Sequence, residues 1–322
     1  GGGSRRILRR PLPGRSAPMA AAADCPPECS GAPGAEELQA LDVETSALPW
    51  WSRTYCGYHD RFVKPFSLAV EGVSVEVCQA PSASKGHAQE SSGSCDAMST
   101  GSTVWDAGVV LSAHVLSRGF AELHHLREAG VCLELGSGTG LVGIAAAATG
   151  QFGRVTLSDL ATVVPLIQES MRRNVAALSP RTEVEACALR WDLEADLQSA
   201  AARGPYDVIL GADLLYRLPN VDPLLSALTA LAGENTIVLL AASVNHSPET
   251  VRDFCSKAAK DFRIEALPPS VQLAEYRSPE VRLLRLRRRV QPAARPRAHV
   301  GARRLTGQRR GLQKLRRLAR QA

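Results

Sequence analysis

Apolar and polar positions alternate along this chain with two different periods, and the change from one to the other marks where the architecture changes. In FSLAVEGVSVEVCQ, Phe66, Leu68 and Val70 fall on one face, Glu71-Gly72 interrupts, and Val73, Val75 and Val77 resume. A period of two on either side of a two-residue break predicts a β-hairpin. PSASKGHAQESSGSCDAMSTGS (81–102) has no period, is rich in Ser and Gly, and predicts a surface loop. From Val104 the pattern becomes helical: VWDAGVVLSAHVLSRG predicts a helix. Short apolar strands then alternate with helices. Strands are predicted at 131–135, 154–159, 184–192, 206–213 and 236–243, and helices at 141–149, 162–178, 221–232 and 247–261, the last with Ser247 as its N-cap. FRIEAL (262–267) and VRLLRL (281–286) supply two more strands with no helix between them, so they are antiparallel neighbours. The predicted fold is α/β: a doubly wound, seven-stranded, mostly parallel sheet covered on both faces, preceded by the hairpin. Residues 24–60 yield no assignment.

Composition and charge refine this outline. With 45% apolar and 22% charged residues in 322, the chain reads as globular. No apolar run reaches the ~18 residues that span a bilayer. Eight cysteines are scattered, and no second pair or histidine pair completes a zinc site with Cys25 and Cys29. No metal is expected, and reduced thiols fit a cytoplasmic location. Residues 281–322 carry fifteen Lys/Arg and no acid, and residues 1–18 carry five Arg and no acid, which leaves −14 for residues 19–280 out of a net +6. An acidic body favours cationic partners, and basic ends favour acidic ones such as nucleic acid. The expected organisation is a poorly structured extension (1–60), one domain (61–289) with an insertion at 81–102, and a flexible basic tail (290–322). Residues 1–18 resemble a transit peptide or a translated upstream region, with Met19 an alternative start. A monomer is expected.

The chemistry concentrates in VCLELGSGTGLVGIAAAATG, which holds two overlapping glycine patterns. Gly138, Gly140 and Gly143 spell the dinucleotide fingerprint, and Gly136, Gly138 and Gly140 a second register with Glu134 two residues ahead. The strand is predicted to end at Leu135, so the dinucleotide register begins two residues late and buries Gly143 in the helix. The earlier register gives the close backbone approach needed under a ligand without a phosphate, S-adenosylmethionine. Asp159, at the next strand end, suits an adenosine ribose and serves either cofactor. Trp191 and Asp192 at the third strand end, and Asp213 and Tyr216 at the fourth, favour methyl transfer over hydride transfer.

Together VWDAGVVLS, LELGSGTGLVGIAAA, LSDL, LRWDLE, LGADLLY and AEYRSPEV resemble the seven-strand protein-lysine methyltransferases of the methyltransferase-like 21 type, over about residues 62–289. The resemblance implies a class I methyltransferase (Rossmann-like) fold, S-adenosylmethionine, and a protein substrate such as an AAA ATPase of the valosin-containing-protein type or a chaperone. It also implies roles: Trp105 in the cofactor pocket, Gly136, Ser137 and Gly138 under the methionine moiety, Asp159 on the ribose, Trp191 beside the adenine, Ala212 lining the pocket, and Asp213 with Tyr216 near the accepting amine. One stretch departs. Where that family carries an aromatic-acid-x-basic run after strand five, this chain has Ala242-Ser243-Val244-Asn245 followed by His246, and the acid is missing. His246 has two readings: a loop histidine facing solvent, and a base near neutral pH that replaces the missing acid. Two other readings remain: a methyltransferase acting on a small molecule or nucleic acid, and a cofactor-binding interaction protein with a degenerate substrate site.

Overall fold

The structure, a computed structural model, describes residues 65–79 and 100–289. The extension, most of the insertion and the basic tail lie outside that range.

The hairpin forms as the alternation predicts. Strands β1 (Phe66–Val70) and β2 (Val73–Val77) pair antiparallel around Glu71-Gly72. They form a separate two-stranded sheet whose apolar face joins the main core. The free backbone of β2 is covered by helix α4 (Val164–Arg173) and the turn after it. Asn174 Oδ1 accepts the Glu76 N–H at 2.9 Å, and Ser170 Oγ accepts the Cys78 N–H at 3.0 Å. An exposed strand edge is thereby blocked by buried side chains.

The main sheet has seven strands in the order β5-β4-β3-β6-β7-β9-β8. They are β3 (Gly130–Leu135), β4 (Phe152–Asp159), β5 (Glu183–Ala188), β6 (Val208–Ala212), β7 (Ile237–Ser243), β8 (Phe262–Ala266) and β9 (Val281–Arg288). All pair parallel except β9, which runs antiparallel to both β7 and β8. This is the mostly parallel sheet ending in an antiparallel pair that the sequence predicts. Successive residues of the central strands point to opposite faces, as Cys132 and Leu133 do, and both faces are buried. On one side lie the hairpin, α1 (Asp106–Leu116), α3 (Leu141–Ala148) and α4; on the other lie α5 (Glu194–Arg203), α6 (Val221–Leu231) and α7 (Pro248–Ala258). A short helix, α2 (Phe120–His124), follows α1.

Three predicted details are corrected. The strand expected at 184–192 ends at Ala188, because its neighbour β4 ends at Asp159, the partner of Ala188. Leu189 makes one last bond to the Asp159 carbonyl, and Arg190 to Asp192 turn away. The loop expected through 102 has a buried end, for Ser102 and Thr103 pack inside. Ser247 does stand at the N-cap of α7, yet its hydroxyl meets the Glu249 and Thr250 side chains instead of a helix amide.

The chain runs outward from β3 to β4 and β5, then returns to place β6 on the other side of β3. That reversal opens a crevice beyond the carboxyl ends of β3 and β6, where ligands bind in folds of this class.

Candidate functional site

The crevice holds an open cavity of about 1190 Å³ whose lining includes every one of the expected site residues except Gly140. Its floor is the glycine turn after β3. Gly136, Gly138 and Gly140 all have φ between 52° and 85°, the left-handed region that glycine adopts freely. The turn is fastened to the end of β4. Ser137 donates its N–H to the Ser158 carbonyl at 3.0 Å, while its Oγ accepts the Ser158 N–H at 3.0 Å. Gly140 N–H returns to the Ser137 carbonyl at 2.7 Å, so Gly140 closes the turn behind the cavity.

Closeness, too, requires these glycines. A Cβ on Gly136 would stand 2.6 Å from Leu214 Cδ2 and 3.4 Å from the Trp191 ring. A Cβ on Gly138 would stand 3.0 Å from the Gly101 carbonyl oxygen. Residues 100–105 therefore form a wall over the turn, and Trp105 is tied to it by Nε1–H donating to the Thr100 carbonyl at 2.8 Å.

Glu134 lies beneath the turn with 2% of its surface exposed. Its Oε2 accepts the Gly143 N–H at 2.9 Å from inside α3. Burial pushes this carboxyl up to about 8, against the lowering effect of hydrogen bonds from Ser137 and Gly143, with the Asp159 charge adding to the rise. Asp159 holds the turn from the other side, accepting the Gly138 N–H on Oδ2 and the Leu160 N–H on Oδ1, both at 2.7 Å. Burial raises its pKa despite those two bonds. Each oxygen keeps a lone-pair direction free for a hydroxyl.

Trp191 leans against Gly136 across the cavity. Asp192 is exposed and its carboxylate is engaged by Arg190, with Nη2 at 2.7 Å, which lowers its pKa. Of the predicted set, it is the one whose charge is already neutralised by a neighbour.

Ala212 ends β6, and Asp213 follows in the left-handed region at φ 56°, unusual for a residue with a side chain. Its N–H donates to the Ala241 carbonyl at 2.8 Å. Burial raises the Asp213 pKa; hydrogen bonds from the Ser243 hydroxyl, the charge of His246 and the Ser243 backbone work against it, and Asp106 adds to it. Tyr216 lies on the same wall. His246 is exposed, as a loop histidine, but it faces the cavity beside Asp213 and not open solvent alone.

Asp106, Ser243 and Glu280 also line this end; they fall within the stretches VWDAGVVLS, 242–245 and AEYRSPEV, but the motifs assign them no role. Ser243 and Asp213 end neighbouring strands at similar height, a pairing that a strand alignment reveals. Glu280 arrives from the segment before β9, which Gln272 braces: its amide donates to the Val281 carbonyl at 3.0 Å and its Oε1 accepts the Ser278 N–H at 3.0 Å.

The profile of the lysine methyltransferase family matches residues 89–261. The chain belongs to the lysine methyltransferase family. Protein N-lysine methyltransferase METTL21A of Mus musculus is 32% identical over 161 residues, which is 50% of this chain and 68% of that protein. EEF1A lysine methyltransferase 3 of Mus musculus is 38% identical over 120 residues, 37% of this chain and 48% of that one, so the match spans about half of its length. Among solved structures, a looser likeness is to the Pyrococcus abyssi tRNA (uracil-54, C5)-methyltransferase in complex with S-adenosyl-L-homocysteine: TM-score 0.39, 15% identity, 69% of this chain and 44% of that one. The family match in this lysine methyltransferase includes the glycine turn, Asp159, Trp191 and Asp213. Among the described residues, no group of three or more His, Cys, Asp or Glu is arranged to hold a metal, and no helix is long and apolar enough to cross a membrane.

Proposed function

We propose that this chain moves a methyl group from S-adenosylmethionine to the ε-amine of a lysine in another protein. The observation that carries the reading is that Asp213 lines one switch-point cavity together with the glycine turn, Asp159 and Trp191. The residues present fit an adenosine-containing donor. Gly136 and Gly138 leave a cradle that side chains would fill, Asp159 is a carboxylate with free lone pairs, and Trp191 offers an aromatic face. When bound, S-adenosylmethionine supplies a methyl group on a positively charged sulfur.

Gly136, Ser137, Gly138 and Gly140 form the bed for its amino-acid part, with Glu134 holding that bed from below. Asp159 takes the ribose hydroxyls, Trp191 and Asp192 flank the base, and Trp105 and Ala212 close the walls. Asp213 and Tyr216 handle the acceptor. A lysine amine has a free pKa of ~10.4 and attacks only after losing a proton. Asp213 accepts a hydrogen bond from the amine and orients it, Tyr216 fixes its position, and the walls exclude water. Alignment in a dry pocket is the larger share of such catalysis.

For the protein that bears the lysine, the motif resemblance favours an AAA ATPase of the valosin-containing-protein type or a chaperone, and the name of the relative at 38% identity favours EEF1A. Radiolabelled methyl transfer into a cell lysate, with the labelled band identified by mass spectrometry, separates them. We expect a labelled lysine with the wild-type chain and none with Asp213→Asn. Labelling of RNA, or equal labelling by the variant, overturns the reading.

A further inference from the structure

The acceptor end of the cavity contains an acid with an oxygen that nothing holds. Asp106 is the first residue of α1, and its Oδ1 is buried without a hydrogen-bond partner among the described residues. Buried carboxyl oxygens are nearly always paired, and the residue that carries this unpaired one also lines the cavity. The packing of α1 fixes where Asp106 lies. Gly108 lies against Ala212, where an added Cβ would meet the Ala212 Cβ at 4.0 Å. The start of the helix thus crosses the carboxyl end of β6, and Asp106 comes within electrostatic reach of Asp213.

Two carboxylates in one sheltered pocket repel each other, and a cation between them relieves the repulsion. On the β7 side, Asp213 is faced by the Ser243 hydroxyl and by His246, and the start of α1 brings a second carboxylate, Asp106. Glu280 adds a third acid at the rim. His246 is exposed and follows β7.

We propose that Asp106, with Asp213, cradles the ε-amine of the incoming lysine as it arrives protonated, before it loses to solvent the proton that attack requires it to lose, and that Asp106 is the specificity element selecting a primary alkylammonium over a neutral or anionic side chain of similar length. The proposal rests on the reading of this cavity as a lysine-acceptor site. An alkylammonium has three donors and one positive charge, which match two carboxylates facing each other. An alcohol of equal length brings one donor and no charge, leaves an acid unpaired, and is rejected. The acid absent from the strand-five run is in this way supplied from the other side of the cavity.

The test is binding of n-butylammonium to the full chain saturated with S-adenosylhomocysteine, followed by ligand-observed NMR, with n-butanol as the neutral control. The wild-type chain is expected to bind n-butylammonium and not n-butanol. Asp106→Asn and Asp106→Ser are expected to bind it at least tenfold more weakly, while keeping S-adenosylhomocysteine affinity within twofold. Thermal melting of both variants checks that weaker binding is read from folded protein. Equal n-butylammonium binding by wild type and both variants, or no preference for it over n-butanol, overturns the proposal. The outcomes also separate from the activity. Lysine labelling in lysate with Asp106-independent ammonium binding sinks this proposal alone. Ammonium binding that depends on Asp106, with no lysine labelled, sinks the transferase reading and leaves the cradle standing.

Discussion

Gly143 lies inside α3, where alanine is ordinarily the better residue by ~1 kcal/mol. Here a Cβ would stand 2.5 Å from Leu157 Cγ and 2.6 Å from Glu134 Oε2. The overlap outweighs the propensity, so Gly143→Ala is expected to lose about 1–3 kcal/mol in urea unfolding. Asp213 presents the opposite case, a side chain where glycine would be easier. Asp and Asn tolerate its φ of 56° better than other residues, whereas alanine there costs about 1–2 kcal/mol. Asp213→Asn is therefore expected to unfold near wild type and Asp213→Ala earlier, with methyl transfer lost in both. A variant that transfers normally would remove Asp213 from the acceptor role. Gly136, Asp159 and Asp213 were legible in the sequence because each stands at or just after the end of a strand whose apolar run announces that end, and Trp191 because it lies close to one, three residues beyond Ala188. Asp106 was not. It stands beside a legible tryptophan, but its importance comes from α1 crossing β6, and that adjacency is a fact of tertiary packing.

The junction of α1 and α2 carries a buried histidine pair that no motif marked. His114 Nε2 and His124 Nε2 are 2.9 Å apart, and His114 Nδ1 lies 3.2 Å from the Val271 carbonyl. The carbonyl requires a proton on His114 Nδ1, so His114 Nε2 accepts and His124 Nε2–H donates; both rings are neutral. Burial holds His114 down to about 4, helped by Arg285 and opposed by the bond to Val271. Burial, then the charges of His114, Arg285, Arg287 and His125, holds His124 down to about 3. Between pH 6.5 and those values the unfolded chain binds protons that the folded pair refuses. Stability therefore falls on acidification, by up to ~1.4 kcal/mol per pH unit for each ring. Glu134, raised to about 8, acts in the opposite direction: the folded state holds its proton between pH 4.5 and 8, and stability falls as the pH rises. Asp159 and Asp213, whose pKa values burial also raises, act in the same direction as Glu134, so the histidine pair is read from the difference in slope between wild type and a variant that lacks it. Between pH 4.5 and 6.5 the stability of the His114→Gln/His124→Gln variant in urea unfolding is expected to climb less, or fall more, with pH than that of wild type, and an unchanged slope would place the pair's protons elsewhere. Other elements were legible to the degree that they bury a clear stripe. The central strands did so, but α5 buries only Leu197 and Ala200 among small and polar residues, and its period was too weak to see.

For the whole molecule, net charge and local charge predict opposite behaviour. The chain carries +6 in total, which would repel a lysine-bearing segment, yet the portion from 19 to 280 carries −14. Charges more than about 8–10 Å apart through solvent are largely screened at physiological salt, so the groups around the cavity mouth decide what an approaching peptide meets. Those lining the acceptor end are Asp106, Asp213 and Glu280, opposed by Arg217. The acidic body is expected to prevail. Raising salt from about 50 to 200 mM shortens the screening length and weakens that attraction, so KM for a lysine peptide should rise while kcat holds, because the aligned complex is already formed once the amine is seated. If the basic ends governed the encounter, added salt would relieve repulsion and lower KM instead. A KM that falls with salt would therefore assign the approach of substrate to the terminal arginines, and one that rises would assign it to the acidic body around the cavity.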